Sequence, residues 1–374
     1  MQDYFDRQVF RGSVDVTQLS FVGTIGFSFC GLMGPVSQLF TSIIGVRWVM
    51  LIGTILMSTG LILASFSVEV WHLYLTQSVI HGMGAAVLYV VSMAVTPPWF
   101  QRRGLALGIM VSGSGVGGLV MPFIMTELNE TLGGAWCYRI LGIVTLGVGL
   151  MSTLLLKEKE ADKSPLRLRH VIDIGLCKDL RFVIWCVAGN LNMLAYFIPA
   201  FYLPSHTTKL GLPPSQGSML VAIFSAVNVV GRVFSGYLGD RIGAVNVDIL
   251  LMLVCGLSSL FIWTLATSYI SLMAFIIIYG FASGAVADIP FLFIVAPITA
   301  TITGIAKYPS GISLCLFSMT AARLGPSMAG AIQSAVDKNG FAALQIFTGC
   351  AFILSSMVMV VLKYKLQPGL LGKI

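Results

Sequence analysis

The chain has 374 residues, of which 57% are hydrophobic and only 10% charged, and its formal net charge is +7. A soluble domain carries about 25% charged residues to wet its surface, so a water-soluble globule is excluded and lipid must cover much of this chain. The positive balance does not mark a nucleic-acid binder, because the basic residues sit in short stretches between apolar runs and form no basic face.

Runs of about 20 apolar residues are long enough to cross a hydrocarbon core as helix. After a polar start containing Asp3, Asp6, Arg7, Arg11 and Asp15, which has no signal-peptide pattern, they are expected near Thr17–Thr41, Trp48–Phe66, Leu73–Thr96, Leu105–Thr126 and Tyr138–Leu156. A second set is expected near Phe182–Leu203, Ser215–Leu238, Val245–Ala266, Ile270–Phe291, Ser310–Ser334 and Phe341–Leu362. The longest polar stretch, Lys157 to Arg181, separates the two sets. This predicts an all-α, multi-pass membrane protein with about eleven transmembrane helices in two bundles. The N-terminal bundle covers 1–156, a cytoplasmic loop 157–181, a C-terminal six-helix bundle 182–362 and a short cytoplasmic tail 363–374.

With the Lys157–Arg181 loop placed in the cytoplasm, most Lys and Arg fall on the inner side. Only Arg7, Arg11, Arg139, Lys209 and Lys338 fall outside, as the positive-inside rule expects. Arg232 and Arg323 stay at membrane depth. The seven cysteines form no CxxC pair and read as small packing residues, so neither a disulfide framework nor a metal site is expected. Asn129-Glu-Thr131 is a glycosylation sequon in an outer loop, too close to the membrane to be used. No HExxH, GxSxG or comparable cluster has usable spacing, so the chain reads as no enzyme and needs no cofactor.

Gly113, Gly115 and Gly118 match GxGxxG, but a dinucleotide site needs that pattern between a strand and a helix. Inside an apolar span the better reading is close helix packing through Gly104, Gly108, Ser112, Gly113 and Gly117. In the second half, Gly231-Arg232…Gly239-Asp240-Arg241-Ile242-Gly243 closes one span and turns into the next. Gly239 and Gly243 permit a tight turn, Asp240 suits the positive end of the following helix, and Arg241 can reach a carboxylate or a helix end. Such a charged turn can latch one conformation of a rocking protein.

This stretch resembles the G-x-x-x-D-R-x-G loop of the major facilitator superfamily. In the first half, near Gly34-Pro35 and Gly45-Val46-Arg47, the Asp-Arg pair is replaced by Ser42-Ile43. The run Trp99-Phe100-Gln101-Arg102-Arg103-Gly104-Leu105-Ala106-Leu107-Gly108, followed by Ser112-Gly113 and Gly117, is similar to the fifth-helix motif of the monocarboxylate porter family. Tyr196…Pro199-Ala200-Phe201-Tyr202-Leu203-Pro204 resembles its fungal branch. The resemblance implies the major facilitator fold with twelve helices and alternating access around a central cavity, so the family's first helix is expected upstream of this chain's start. It implies secondary transport of a small organic anion, a monocarboxylate or related solute. Export of a fungal secondary metabolite or uptake of a vitamin-like solute is the alternative within transport. A non-transporting sensor or a shortened remnant is the alternative outside it. The partners implied are the solute and the bilayer, with no accessory membrane protein assigned and the plasma membrane as default location.

Ionisable residues at membrane depth are costly and mark function by default. By resemblance Arg232 aligns with the family's substrate-pairing arginine; a structural ion pair is the competing reading. One turn earlier the proton-coupled relatives carry an aspartate, where this chain has Asn228, which can hydrogen-bond a solute but cannot carry a proton. Arg323, beside Gly325-Pro326, is a second candidate anion ligand or a partner for Asp288. Asp288 and His81 are candidate proton-relay groups, against a helix-end acid and a packing histidine. Tyr196, Phe201 and Tyr202 are candidates to line the outer cavity, and Gly239, Asp240, Arg241, Gly243, Arg102 and Arg103 form the candidate latch.

Overall fold

The computed structural model describes residues 16–96, 99–100, 103–156, 173–286, 299, 302–303, 307–336 and 340–366. Almost all of them are helical. Helix α1 spans Val16–Ile44, α2 Val46–Ala64, α3 Val70–Val95, α4 Arg103–Leu132 and α5 Gly134–Leu155. These are followed by α6 at Leu180–Tyr196, α7 at Ile198–Lys209, α8 at Pro214–Ile242 and α9 at Ala244–Trp263. Then come α10 at Tyr269–Val286, α11 at Tyr308–Ser318, α12 at Gly325–Val336 and α13 at Ala342–Leu366.

Nine candidate spans among the described residues are long and apolar enough to cross a membrane, with α6 and α7 together making one of them. The apolar segment Tyr269–Gly284 of α10 is shorter. The expected span Ser310–Ser334 is not one helix: α11 stops at Ser318, a 3-10 turn covers Ala322–Leu324, and α12 starts at Gly325. Proline lacks an N–H and fits a helix best in its first turn, so Pro326 starts a new helix rather than continuing the old one. Pro199 acts in the same way at the start of α7. Two spans also contain π segments, Tyr74–His81 in α3 and Ser258–Trp263 in α9.

Three consecutive helix pairs turn on a single glycine. Gly45 (φ 86°) joins α1 to α2, Gly133 (φ 84°) joins α4 to α5, and Gly243 (φ 94°) joins α8 to α9. A side chain is rarely accommodated at such φ. Gly243 thus acts as the sequence predicted, whereas Gly239 lies within α8 without a positive φ and its carbonyl accepts from the Gly243 N–H at 3.0 Å. No described atom lies within 4 Å of a Cβ added at Gly133, so Gly133→Ala tests the backbone alone. We expect it to lower stability by about 1–2 kcal/mol, read from the melting temperature of the purified protein.

The chain packs as two units. Unit 1 comprises Met1–Val95, Val120–Asp173 and Pro309–Thr320; unit 2 comprises Thr96–Leu119, Ile174–Tyr308 and Ala321–Ile374. Compared with the halves expected from the polar loop, each unit holds one segment of the other half. Small residues allow this. In unit 1 a Cβ at Gly31 would lie 2.6 Å from the Leu316 carbonyl oxygen, and one at Gly34 3.0 Å from that of Ser313. In unit 2 a Cβ at Gly115 would lie 2.4 Å from Val229 Cγ2.

Within unit 1, α2 packs on α5 and α3, and α1 on α3. The α2–α3 contact is backbone against backbone: a Cβ at Gly60 would lie 2.5 Å from His81 N, and one at Gly84 2.3 Å from Met57 N. Tyr138 is buried and donates to Gln77 Oε1 at 2.8 Å, satisfying its hydroxyl where water is absent. Within unit 2, α8 packs on α10, and α13 on α6 and α9. Stacked rings fill its interior: Trp263 on Phe275 and Phe275 on Tyr279, each at 5.2 Å. Large apolar side chains such as Leu154, Phe123 and Ile270 point outward, as a lipid-facing surface requires.

Candidate functional site

Two of the candidate groups, Asn228 and Arg232, lie on α8 in unit 2. Gly231 and Gly284 let α8 and α10 touch: a Cβ at Gly231 would lie 2.2 Å from the Phe281 carbonyl oxygen, and one at Gly284 2.4 Å from that of Asn228. This contact holds Asn228 and Arg232, one turn apart, in the interior of the unit.

Asn228 is buried, and its Nδ2 lies 3.3 Å from the Gly280 carbonyl, 3.5 Å from Ser283 Oγ and 3.5 Å from the Tyr196 hydroxyl. These are long contacts, so the amide is loosely held and shared among acceptors. Tyr196 is anchored where Tyr279 donates to its carbonyl at 2.9 Å, and its ring meets Phe197 edge-on at 4.6 Å.

Arg232 is 6% exposed. Its Nη1 donates to the Val111 carbonyl at 3.1 Å and to Ser114 Oγ, while Nε has no hydrogen-bond partner among the described residues. Both acceptors are neutral. A structural ion pair would require a carboxylate here, and none of these contacts supplies one. Ser114 lies in the glycine run of α4, and sequence reading missed its role because the run was assigned to packing. The glycines themselves are mostly not packing contacts. Added Cβ atoms at Gly113, Gly117 and Gly118 meet nothing within 4 Å among the described residues, and in that run only Gly115 is tight. Removing a side chain there makes room for Val229 and for the Arg232 guanidinium, 3.6 Å away at Nη1.

Asp240 ends α8 instead of opening α9, and its Oδ2 accepts from the Leu105 N–H at 3.1 Å, in the first turn of α4. The helix end it serves is therefore α4's and not the one that follows it in sequence, because the one-residue turn at Gly243 turns the chain away from α8's last turn. Arg241 stacks over the Tyr237 ring at 4.7 Å. In unit 1, Arg47 donates to the Leu156 carbonyl at 3.4 Å, a cation at the C-terminal end of α5.

The other predicted groups sit on other segments. Arg323 is buried in the 3-10 turn between α11 and α12, a segment that packs on α6. Phe201 is 59% exposed and contacts Phe197, while Tyr202 donates to the Pro326 carbonyl at 3.0 Å. His81 is in unit 1, where its Nδ1 donates to the Met57 carbonyl at 3.1 Å, the arrangement of a packing histidine. Asp288 and Arg102 lie outside the described residues, and Arg103 is placed only as the first residue of α4. Sequence reading also passed over Asp248 in α9, which is 0% exposed. A lone acid four residues into a predicted span was the available signal.

Residues 6–330 match the Major Facilitator Superfamily. An MFS-type transporter of Gibberella moniliformis is 30% identical over 336 residues, covering 89% of this chain and 79% of that protein. The fujikurins efflux protein of Gibberella fujikuroi is 28% identical over 362 residues, covering 96% and 76%. The MFS proton:xylose symporter XylE superposes with a TM-score of 0.76 at 12% identity, covering 96% of this chain and 90% of that one. The chain therefore belongs to the Major Facilitator Superfamily, with its fold, and is a multi-pass membrane transporter of small-molecule solutes.

Proposed function

We propose that the chain carries an organic anion, a carboxylate or another acidic metabolite, by alternating access, with Arg232 as the anion-binding group. The observation that carries this reading is a buried guanidinium whose two hydrogen-bond acceptors are neutral and whose Nε has no hydrogen-bond partner among the described residues. Arginine stays charged in such surroundings, and its fork matches a carboxylate in two parallel bonds. Asn228 and Tyr196, one turn towards the outer end, supply neutral polar groups for orienting a solute. The carboxylate class is further supported by the Trp99–Gly108 motif and its likeness to monocarboxylate porters. Asp240 on the N-terminal end of α4 is the contact that would hold one conformation, since a carboxylate is favoured at the positive end of a helix.

A second reading is favoured by the relative named as a fujikurins efflux protein: export of a larger fungal metabolite. Flux of a panel through proteoliposomes separates the two. Lactate and benzoate represent small carboxylates, and larger aromatic acids represent secondary metabolites. Flux of lactate and benzoate supports the first reading, and flux of the aromatic acids alone supports the second. Flux confined to neutral solutes overturns the anion assignment in both.

A further inference from the structure

Asp248 is the one acid on α9, and it is sealed from solvent at 0% exposure. Neither carboxyl oxygen has a hydrogen-bond partner among the described residues. It sits on the stripe Asp248, Met252, Cys255, Ser259, the i, i+4, i+7, i+11 face of the helix. That face packs on α13. Ser259 Oγ donates to the Gln345 carbonyl at 3.2 Å, and Ser355 Oγ contacts Met252 Sδ at 3.2 Å. Next to the stripe, Ser356 Oγ donates to the Ile249 carbonyl at 3.0 Å, and Lys363 Nζ donates to Asn246 Oδ1. The helices are antiparallel, so this register sets Asp248 level with Met359, one turn before Lys363.

The seam is thus polar along its length and satisfied at every contact named except Asp248. An ionised carboxylate enclosed in this way without a donor is strongly disfavoured, whereas the neutral acid is tolerated. Among the described residues, the ionisable groups on the elements packed against α9 include Lys363 on α13, Tyr279 on α10, and Asp240 and Arg241 at the end of α8, with Cys255 on α9 itself. Lys363 is held by a neutral amide in the arrangement seen. A small parting of α9 and α13 at the Lys363 end would bring water and this cation to the carboxyl, making the anion favourable there. Asn228, beside Arg232, cannot bind a proton.

We propose that Asp248 is the proton-binding site of the transport cycle: it holds a proton while the α9–α13 seam is closed and releases it when the seam opens beside Lys363. The coupling part of this proposal rests on the transporter reading; the protonation part does not.

Infrared spectra of the purified full chain in lipid, at neutral pH and at alkaline pH, test the protonation. We expect a carbonyl stretch of a protonated carboxylic acid at neutral pH in the wild type, absent from Asp248→Asn. If the Asn variant does not fold, Asp248→Glu keeps the band and shifts it. Coincident wild-type and Asn spectra in that region, or an Asp248→Glu band at the wild-type position, overturn the site. The coupling is tested in proteoliposomes loaded with lactate or benzoate and an internal pH dye. Wild-type solute flux should carry protons, and Asp248→Asn should exchange solute with the accompanying proton flux lost. Equal proton flux in both overturns the coupling. Should the wild type move neither solute, the carboxylate reading fails, and the infrared band still decides whether Asp248 is the proton site.

Discussion

Gly231→Ala should leave most of the protein misfolded, because the new methyl would lie 2.2 Å from the Phe281 carbonyl oxygen and 3.0 Å from its carbon. Backbone atoms in the middle of α10 cannot swing aside as a flexible side chain can, so α8 and α10 must separate. Overpacking of a well-filled contact costs about 1–3 kcal/mol, and this overlap belongs at the upper end or beyond it. Because the same contact holds Asn228 and Arg232, we expect lost transport together with a lower melting temperature. Gly284→Ala, 2.4 Å from the Asn228 carbonyl oxygen, should behave alike. Gly117→Ala is the control: nothing described lies within 4 Å, so the helix should gain about 0.5–1 kcal/mol from alanine's better propensity. A normal melting temperature for Gly231→Ala would show that the α8–α10 contact is looser than these distances state.

Arg232→Gln should lower flux of every anionic panel member by roughly 10- to 100-fold, the equivalent of one or two charge-assisted hydrogen bonds at about 1.5–3 kcal/mol each. Arg232→Lys should recover part of that flux, since it keeps the charge but loses the fork. Flux of neutral solutes, if the protein moves any, should change little. The melting temperature separates this effect from damage to the fold: among the described residues Nη1 makes two hydrogen bonds, to Val111 and Ser114, so stability should fall modestly. Undiminished anion flux in a folded Arg232→Gln variant would return Arg232 to a structural role.

Much of the fold was legible along the chain, for reasons that are local. A helix in lipid must satisfy its own backbone, so an apolar run of sufficient length declares a span. The run Trp48–Phe66 became Val46–Ala64, and Phe341–Leu362 became Ala342–Leu366. The turn glycine Gly243 was readable because a one-residue reversal at positive φ admits few other residues. Arg232 was readable because its charge interrupts an apolar helix. The break between Ser318 and Gly325 could have been read from Pro326, and the expected single span passed over it.

What the sequence determined by itself, then, was the membrane environment, the positions of most spans, the kind of turn at Gly243 and the presence of a charge at position 232. Only the tertiary structure decided what those groups meet. Arg232 faces Ser114 across 118 residues of chain, Asp240 reaches Leu105 across 135, and Asp248 meets no donor among the described residues. The physical reason is that hydropathy and backbone preference act over a few neighbouring residues, whereas the partner of a buried polar group is set by which distant helix the small residues allow to come close.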